Sequence, residues 1–399
     1  MNIIITGATG FVGRQLIPVL DSAGHTLLLA GRDMQRLQQV FPEYAACTYS
    51  DLRTRAAGHD AVIHLAARNN DQGGSEADFA EANVRLAVQI AEIARDSGVP
   101  HFIHFSSLHA MGEKSRTSLY ASSKKAAELA LDTVDGITVS HLRCGAVYGD
   151  ELAGNLAIAK RFPGFLRRPI LAVLTSLKPT TSIARVAEVT ADALRHPGGY
   201  RIVTDDKARN GVYKALSTLL DWGFAIGVFL FFGWLLLILA MIVWITSPGP
   251  AVFVQDRVGK AKAVFPNLKF RTMAVGTKQA GTHEVSAASV TGIGHFLRRY
   301  KLDELPQIFN IMRGELSLVG PRACLPSQEV LVNEREQRGI YAIRPGITGY
   351  AQIRGIDMSD PVLLAKTDKE YLDLRCLILD LQIVIATFLG RGSGDRVAA

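Results

Sequence analysis

Between Asp221 and Asp256 the chain carries no charged residue, and from Gly223 to Thr246 it reads GFAIGVFLFFGWLLLILAMIVWIT. A helix over that stretch is roughly 36 Å long at roughly 1.5 Å per residue, which exceeds the roughly 30 Å of hydrocarbon in a bilayer. A buried helix of a soluble domain keeps a polar stripe on one side. This stretch has none, so it reads as a membrane segment with a separate domain on either side. Ser247-Pro248-Gly249-Pro250 ends it, because proline cannot continue a helix and the four residues are turn chemistry.

With 399 residues the chain has room for two cores. A net charge of +7 and a pI near 9.2 imply a basic surface. The cations Arg257, Lys260, Lys262, Lys269 and Arg271 crowd just after the apolar segment, which favours anionic lipid and phosphorylated substrates over nucleic acid. Cys47, Cys144, Cys324 and Cys376 show no CxxC spacing, so neither a disulfide framework nor a zinc site is expected, and a reducing cytosol fits. Met1 leads straight into the apolar Ile3-Ile4-Ile5, so no secretory leader is expected and the N-terminal part is assigned to the cytoplasm.

Asn2 to Thr6 reads as a strand, followed by Gly7, Gly10 and Gly13 and then by helical spacing at Leu16, Ile17, Val19 and Leu20. Small residues there let the backbone approach a pyrophosphate at a helix N-terminus. A second strand, Thr26 to Ala30, runs into Gly31, Arg32 and Asp33, where such folds read a ribose. Arg32 suits a 2′-phosphate and so NADP, while Asp33 keeps NAD open. Apolar runs at 61–65 and 101–105, separated by a helical pattern, predict a doubly wound parallel sheet of Rossmann type.

The glycine loop TGATGFVG, Asp51-Leu52, VIHLAA at 62–67, Asn83, FSS at 105–107, YASSK at 120–124 and LRCGAVYG at 142–149 together resemble the extended short-chain dehydrogenase/reductase, or epimerase/dehydratase, family over about residues 1–205. The resemblance implies a nicotinamide cofactor held at Gly7, Gly10, Gly13, Arg32 and Asp51. It also implies proton transfer by Ser107, Tyr120 and Lys124, the lysine ammonium lowering the tyrosine pKa from one helical turn away. Two departures stand out: Cys144 replaces the usual proline, and 150–181 is short for a sugar-binding lobe. A nucleotide-sugar reductase or epimerase and a non-catalytic nucleotide-binding module both remain open.

Residues 206–213 read as a linker, 214–250 as the membrane helix and 251–399 as a second domain, with a strand at 251–255 and a polar loop reaching Ser289. Within it, Phe296 to Gln307 sets the acidic pair Asp303-Glu304 among Arg298, Arg299 and Lys301. Asp303 is either the cap of the following helix or a carboxylate aimed at phosphate or metal. The apolar run 374–389 is either a core helix or one lying in the membrane interface.

KFRTM at 269–273, LDELPQIFNIMRGELSLVGPR at 302–322 and RPGITGYAQIRG at 344–355 closely resemble the bacterial sugar transferase family, the monotopic phosphoglycosyl transferases, over about 214–390. The resemblance implies transfer of a sugar 1-phosphate from a UDP-sugar to undecaprenyl phosphate with Mg²⁺, on the cytoplasmic face of a bacterial inner membrane. Asp303 matches the nucleophile and is the expected ligand of Mg²⁺, Glu304 matches its partner and is left open as a second Mg²⁺ ligand, and Arg298, Arg322, Lys269 and Arg271 match phosphate-binding positions. Asp368 and Tyr371 match supporting ones, and a homodimer is left open. The family helix is re-entrant and bends at Ser-Pro, where Gly233 and Trp234 stand here, so a bend at Gly233 is expected.

Overall fold

Parallel strands buried on both faces make the sheet of the first unit. They are β1 (Asn2–Thr6), β2 (Thr26–Gly31), β3 (Ala45–Thr48), β4 (Ala61–His64), β5 (His101–Ser107), β6 (Thr138–Cys144) and β9 (Gly199–Val203), in the order 3-2-1-4-5-6-9. A short parallel pair, β7 (Ala146–Tyr148) with β8 (Thr180–Ser182), lies apart from it. In this computed structural model, which describes residues 1–116, 118–277 and 290–392, the chain divides into two units. The first takes Met1–Thr175 and Pro179–Asp206, the second Ser176–Lys178 and the chain from Lys207 onward.

Alternate residues of each strand face opposite layers. Ile3 and Ile5 pack with Leu16 and Ile17 of helix Phe11–Ser22, while Ile4, Val62 and Phe102 pack with Ile90 and Ala91 of helix Leu86–Asp96. This is the doubly wound sheet the sequence predicts. Its strand order reverses between β1 and β4, which opens a crevice at their C-terminal ends, the place where such sheets take ligands.

The second unit opens with one helix, Gly211–Thr246, of 36 residues. It starts earlier than 214, because the Asn210 side chain accepts a hydrogen bond from Tyr213 N and caps it, so the residues read as linker form a 3₁₀ turn (Lys207–Arg209) and the first helical turn. The helix runs unbroken through Gly233, where the bend is expected. Glycine permits a bend without forcing one, and no proline removes a ladder hydrogen bond there. A stripe of Ala225, Leu236, Leu239 and Val243 packs on Phe265, Phe270, Leu297, Ile308 and Ile311. The rest of the apolar surface is bare, with Phe231 73%, Leu237 74% and Trp244 65% exposed. Among the described residues it is the one helix long and apolar enough to cross a membrane.

Beyond it, β10 (Val252–Val258) and β11 (Val264–Phe270) form an antiparallel hairpin, and β12 (Ser317–Val319) pairs in parallel with β13 (Gly346–Thr348). The expected polar loop falls mostly on 278–289, outside the described residues. The apolar run near the C-terminus is helix Leu377–Phe388, which buries Leu377, Asp380 and Ile383 and exposes Leu381, Ile385 and Phe388.

Candidate active site

Asp303 and Glu304 sit on a 3₁₀ turn, Leu302–Gln307, entered through Lys301 in the left-handed region at φ 56°. The capping alternative for Asp303 does not hold, since Lys301 is the cap position and no side chain caps the turn. Glu304 Oε1 instead accepts from Lys269 Nζ at 2.8 Å and from Arg322 Nη2 at 3.0 Å. Burial pushes its carboxyl up, but the two cations win and hold it well below the usual carboxylate range. Asp303 makes no hydrogen bond or ion pair with any described residue. Burial, and then the charge of Glu304, raise its pKa, against the pull of Lys269, Arg298 and Arg322. The pKa values of the neighbouring carboxyls are thus driven in opposite directions, Glu304 down and Asp303 up.

Both face a cavity of about 1040 Å³, whose wall also holds Lys269, Arg271, Arg298 and Arg322. Arg298 Nε donates to Thr272 Oγ1 at 2.9 Å. Arg271 is only 6% exposed and donates from Nη2 to the carbonyl of Ser247, at the end of the long helix, so it ties that helix to the cavity wall. Asp368 and Tyr371 lie elsewhere. Asp368 pairs with Arg335, and the Tyr371 hydroxyl donates to Asp380 at 2.8 Å.

Two further residues build the site without lining it. Asn310, fully buried, accepts from Leu268 N at 3.1 Å and donates to Pro266 O at 2.8 Å, fixing the strand that carries Lys269. Arg335 binds Asp368 Oδ2 at 2.7 Å and donates to the Arg322 carbonyl at 2.8 Å. The asparagine inside the apolar run Ile308–Met312 was a legible signal; Arg335 on a polar helix gave none. Asp303 and Glu304 supply two carboxylates, and no cluster of three metal-ligating side chains occurs among the described residues. That donor set fits Mg²⁺, which commonly takes one or two carboxylates and completes its shell with phosphate and water.

In the first unit, Gly7 follows β1 at φ 72°, and a Cβ there would lie 2.5 Å from Ala66 N, so only glycine fits this close approach of β1 and β4 ends. A Cβ on Gly13 would meet Ala8 O at 2.4 Å. Helix Phe11–Ser22 has no side-chain cap at Gly10, which leaves its first N–H groups to meet an anion, and this cradle fits a dinucleotide pyrophosphate. Arg32 is exposed just past β2, whereas Asp33 Oδ1 accepts from Arg36 N at 3.0 Å and is spent capping a helix. Asp51 accepts from Thr48 Oγ1 at 2.6 Å beyond β3.

Ser107 ends β5, and Tyr120 and Lys124 lie on helix Leu119–Leu131. The lowered tyrosine pKa is not found. Burial pushes the Tyr120 phenol up, with partial relief from the Ser107 hydroxyl. Lys124 is buried, its own pKa is brought down to about 8 by desolvation, and its Nζ donates to Phe105 O at 2.7 Å.

A Rossmann-type sheet with an open phosphate cradle, followed by a long apolar helix and a cation-lined carboxylate pair, defines a two-part chain. Residues 212–391 match the family described as "Bacterial sugar transferase", residues 3–179 match the "NAD dependent epimerase/dehydratase family", and the chain belongs to the bacterial sugar transferases, with an epimerase/dehydratase-type domain ahead of the transferase part. It is 35% identical to the "Exopolysaccharide production protein PSS" of Rhizobium leguminosarum bv. phaseoli, over 40% of this chain and 88% of that one. It is 29% identical to the "UDP-N-acetylgalactosamine-undecaprenyl-phosphate N-acetylgalactosaminephosphotransferase" of Aeromonas hydrophila, over 61% of this chain and 59% of that one, and so spans less than two thirds of that relative. A solved UDP-N-acetylglucosamine 4-epimerase from Bacillus cereus is 20% identical, covering 56% of this chain and 85% of that one, with a TM-score of 0.41, too loose a likeness to bear on activity.

Proposed function

We propose that the second unit transfers a sugar 1-phosphate from a UDP-sugar to undecaprenyl phosphate through a phosphosugar ester on Asp303. The observation that carries this reading is a half-buried Asp303 carboxyl without a described partner, facing a large cavity whose wall includes Lys269, Arg271, Arg298 and Arg322. An Asp303 oxygen attacks the sugar-bearing phosphorus, forming the acyl phosphate bond as the bond to UMP breaks and UMP leaves. An oxygen of the lipid phosphate then attacks the same phosphorus and releases the Asp303 carboxylate. Arg298 and Arg322 present forked donors to the phosphate oxygens, and Lys269 holds Glu304 in place. Asp303, with Glu304 as a second carboxylate, would hold Mg²⁺, which neutralises phosphate charge when bound. Transfer of label from UDP-sugar to extractable lipid, present in the parent chain and lost in Asp303→Asn, tests the reading.

The long helix enters and leaves on one membrane face in this account. From Tyr213, whose hydroxyl meets Asp380, to Val243, in the core with Phe270, its buried stripe packs on one and the same unit. The first unit is read as a NADP-dependent nucleotide-sugar 4-keto reductase or epimerase, supported by the cradle at Gly7 and by Arg32 standing free of the capping duty that takes Asp33. The non-catalytic alternative draws on Lys124, whose ammonium is spent on Phe105 O. Nicotinamide absorbance during incubation with UDP-sugars separates the two.

A further inference from the structure

The segment that is too short for a sugar-binding lobe carries an unusual surface. Every residue from Lys160 to Pro169 is exposed, and helix Gly164–Leu177 shows Phe165 80%, Leu166 37% and Val173 42% bare, with Phe162 at 40% just ahead of it. At about 100° per residue, Phe165, Leu166, Pro169 and Val173 fall in one stripe roughly 100° wide. Arg167 and Arg168 flank that stripe, Lys160 and Arg161 precede it, and Arg167 Nε folds back onto the Phe162 carbonyl at 3.2 Å. No acidic residue occurs from Leu152 to Ala187.

We propose that this face of the first unit, Phe162 to Val173, lies in the surface of an anionic bilayer, with its aromatic and aliphatic side chains in the headgroup boundary and its arginines on lipid phosphates. A bare apolar stripe bordered only by cations is the pattern of an interfacial helix. Charge complementarity selects anionic lipid over a protein surface of mixed charge, and the same chain carries the long apolar helix from Gly211 that brings a bilayer within reach. The inference rests on the reading of that helix as membrane-bound. Its consequence is that the first unit is held at the membrane by its own contact as well as by the chain that follows it.

The four native cysteines are buried, so single reporter cysteines can be read in the full-length chain. The chain is reconstituted in phosphatidylcholine vesicles with or without phosphatidylglycerol, and an environment-sensitive fluorophore is placed at Phe165→Cys, at Phe231→Cys in the long helix, and at Gln38→Cys on an exposed surface. With phosphatidylglycerol present, the label at 165 is expected to shift to the blue, to be quenched severalfold more by nitroxide lipid than the label at 38, and to be shielded from iodide. Arg168→Glu is expected to weaken that contact roughly fivefold or more, because each basic residue near an anionic surface contributes a factor of that order. Iodide quenching at 165 equal to that at 38 overturns the proposal, and so does a label at 165 hidden from both quenchers, which is covered by protein. A label at 231 in lipid with one at 165 in water defeats this proposal alone; both in water defeats the reading of the long helix and this proposal with it.

Discussion

Glu128 of the first unit, fully buried, and Asp303 of the second, half-buried, are carboxyls on helical turns, and they are treated in opposite ways. Glu128 accepts from Ser106 Oγ at 2.7 Å and from Arg143 Nε and Nη2 at 2.8 and 2.7 Å. Asp303 is left without a described partner, within the field of Lys269, Arg298 and Arg322, which share its cavity. A closed network of this sort contributes to the stability of a fold, because every desolvated group is matched. An open one is costly to maintain, so its place in the molecule points to chemistry. The contrast is local to the two sites. In the first unit, Lys124 is bound to a carbonyl and a row of histidines is buried; in the second, closed pairs such as Arg335–Asp368 stand apart from the cavity that Asp303 faces.

The sharpest way to break the comparison is to remove the open carboxylate. Asp303→Asn is expected to lower transfer by roughly a thousandfold or more while leaving thermal stability unchanged or raised. Glu304→Gln is expected to cost less in rate, and the acid limb of the wild-type rate profile should lie above the ordinary aspartate range, because burial and Glu304 raise the Asp303 pKa and protonation removes the nucleophile. A rate that persists in Asp303→Asn places the nucleophile elsewhere.

Opening the closed network should do the reverse. Glu128→Leu leaves Arg143 and Ser106 unmatched in the interior and is expected to destabilise the first unit by roughly 3–5 kcal/mol. Denaturant unfolding followed through nucleotide binding measures it, and lipid-linked transfer should be spared in protein that stays folded.

A smaller effect comes from the histidines. Thr6 on β1, His64 on β4, His104 on β5 and His141 on β6 stand in register across the sheet, with Thr6 Oγ1 2.8 Å from His64 Nδ1 and His104 Nδ1 3.1 Å from His141 Nδ1. Burial, and then the Lys124 charge, bring His64 down to about 3, and burial and Arg201 bring His101 to about 4. Below the ordinary histidine pKa the unfolded chain takes up protons that the folded chain refuses, so stability is lost as pH falls from about 6.5 toward those values. His64 alone is expected to cost roughly 2 kcal/mol at pH 5. Chemical unfolding of the first unit at pH 7.5 and pH 5 checks this, and His64→Gln should flatten the difference.

The smallest expected change is at the cofactor. Arg32→Ala should weaken NADP(H) binding about tenfold and leave NAD(H) nearly untouched, because only the 2′-phosphate meets the guanidinium. Equal affinities for the two cofactors in the parent chain would remove Arg32 from the account.

Most of this contrast was legible in the chain itself. The alternation of apolar strands and helices gave the Rossmann-type sheet, and the run from Gly223 to Thr246 gave the long helix. The likeness of LDELPQ, KFRTM and VGPR to the sugar transferase motifs grouped Lys269, Arg322 and Glu304, which meet within 3.0 Å. What escaped depends on which neighbour a side chain finds. Asp33 spends its carboxylate on a helix start, Lys124 turns to Phe105 O, and Arg335 reaches Asp368 and the Arg322 carbonyl across 33 and 13 residues. Gly233 carries no local instruction to bend, and the packing of Leu236 and Val243 along one unit keeps the helix whole.

The proposed entry and exit on one membrane face can be tested by labelling. Cysteines at Lys214 and Lys260, at either end of the long helix, should react together with an impermeant reagent in inverted membrane vesicles; labelling of only one would mean that the helix spans.

The covalent step can be caught directly. Full-length chain incubated with Mg²⁺ and UDP-N-acetylgalactosamine, the donor in the name of the Aeromonas relative, or UDP-glucose, but with no lipid acceptor, is quenched and mapped by peptide mass spectrometry. The account predicts release of UMP together with a sugar-phosphate adduct on the peptide holding Asp303, discharged when undecaprenyl phosphate is added. An adduct on another residue, or lipid product formed with either donor while no adduct and no UMP appear before the acceptor does, would contradict it.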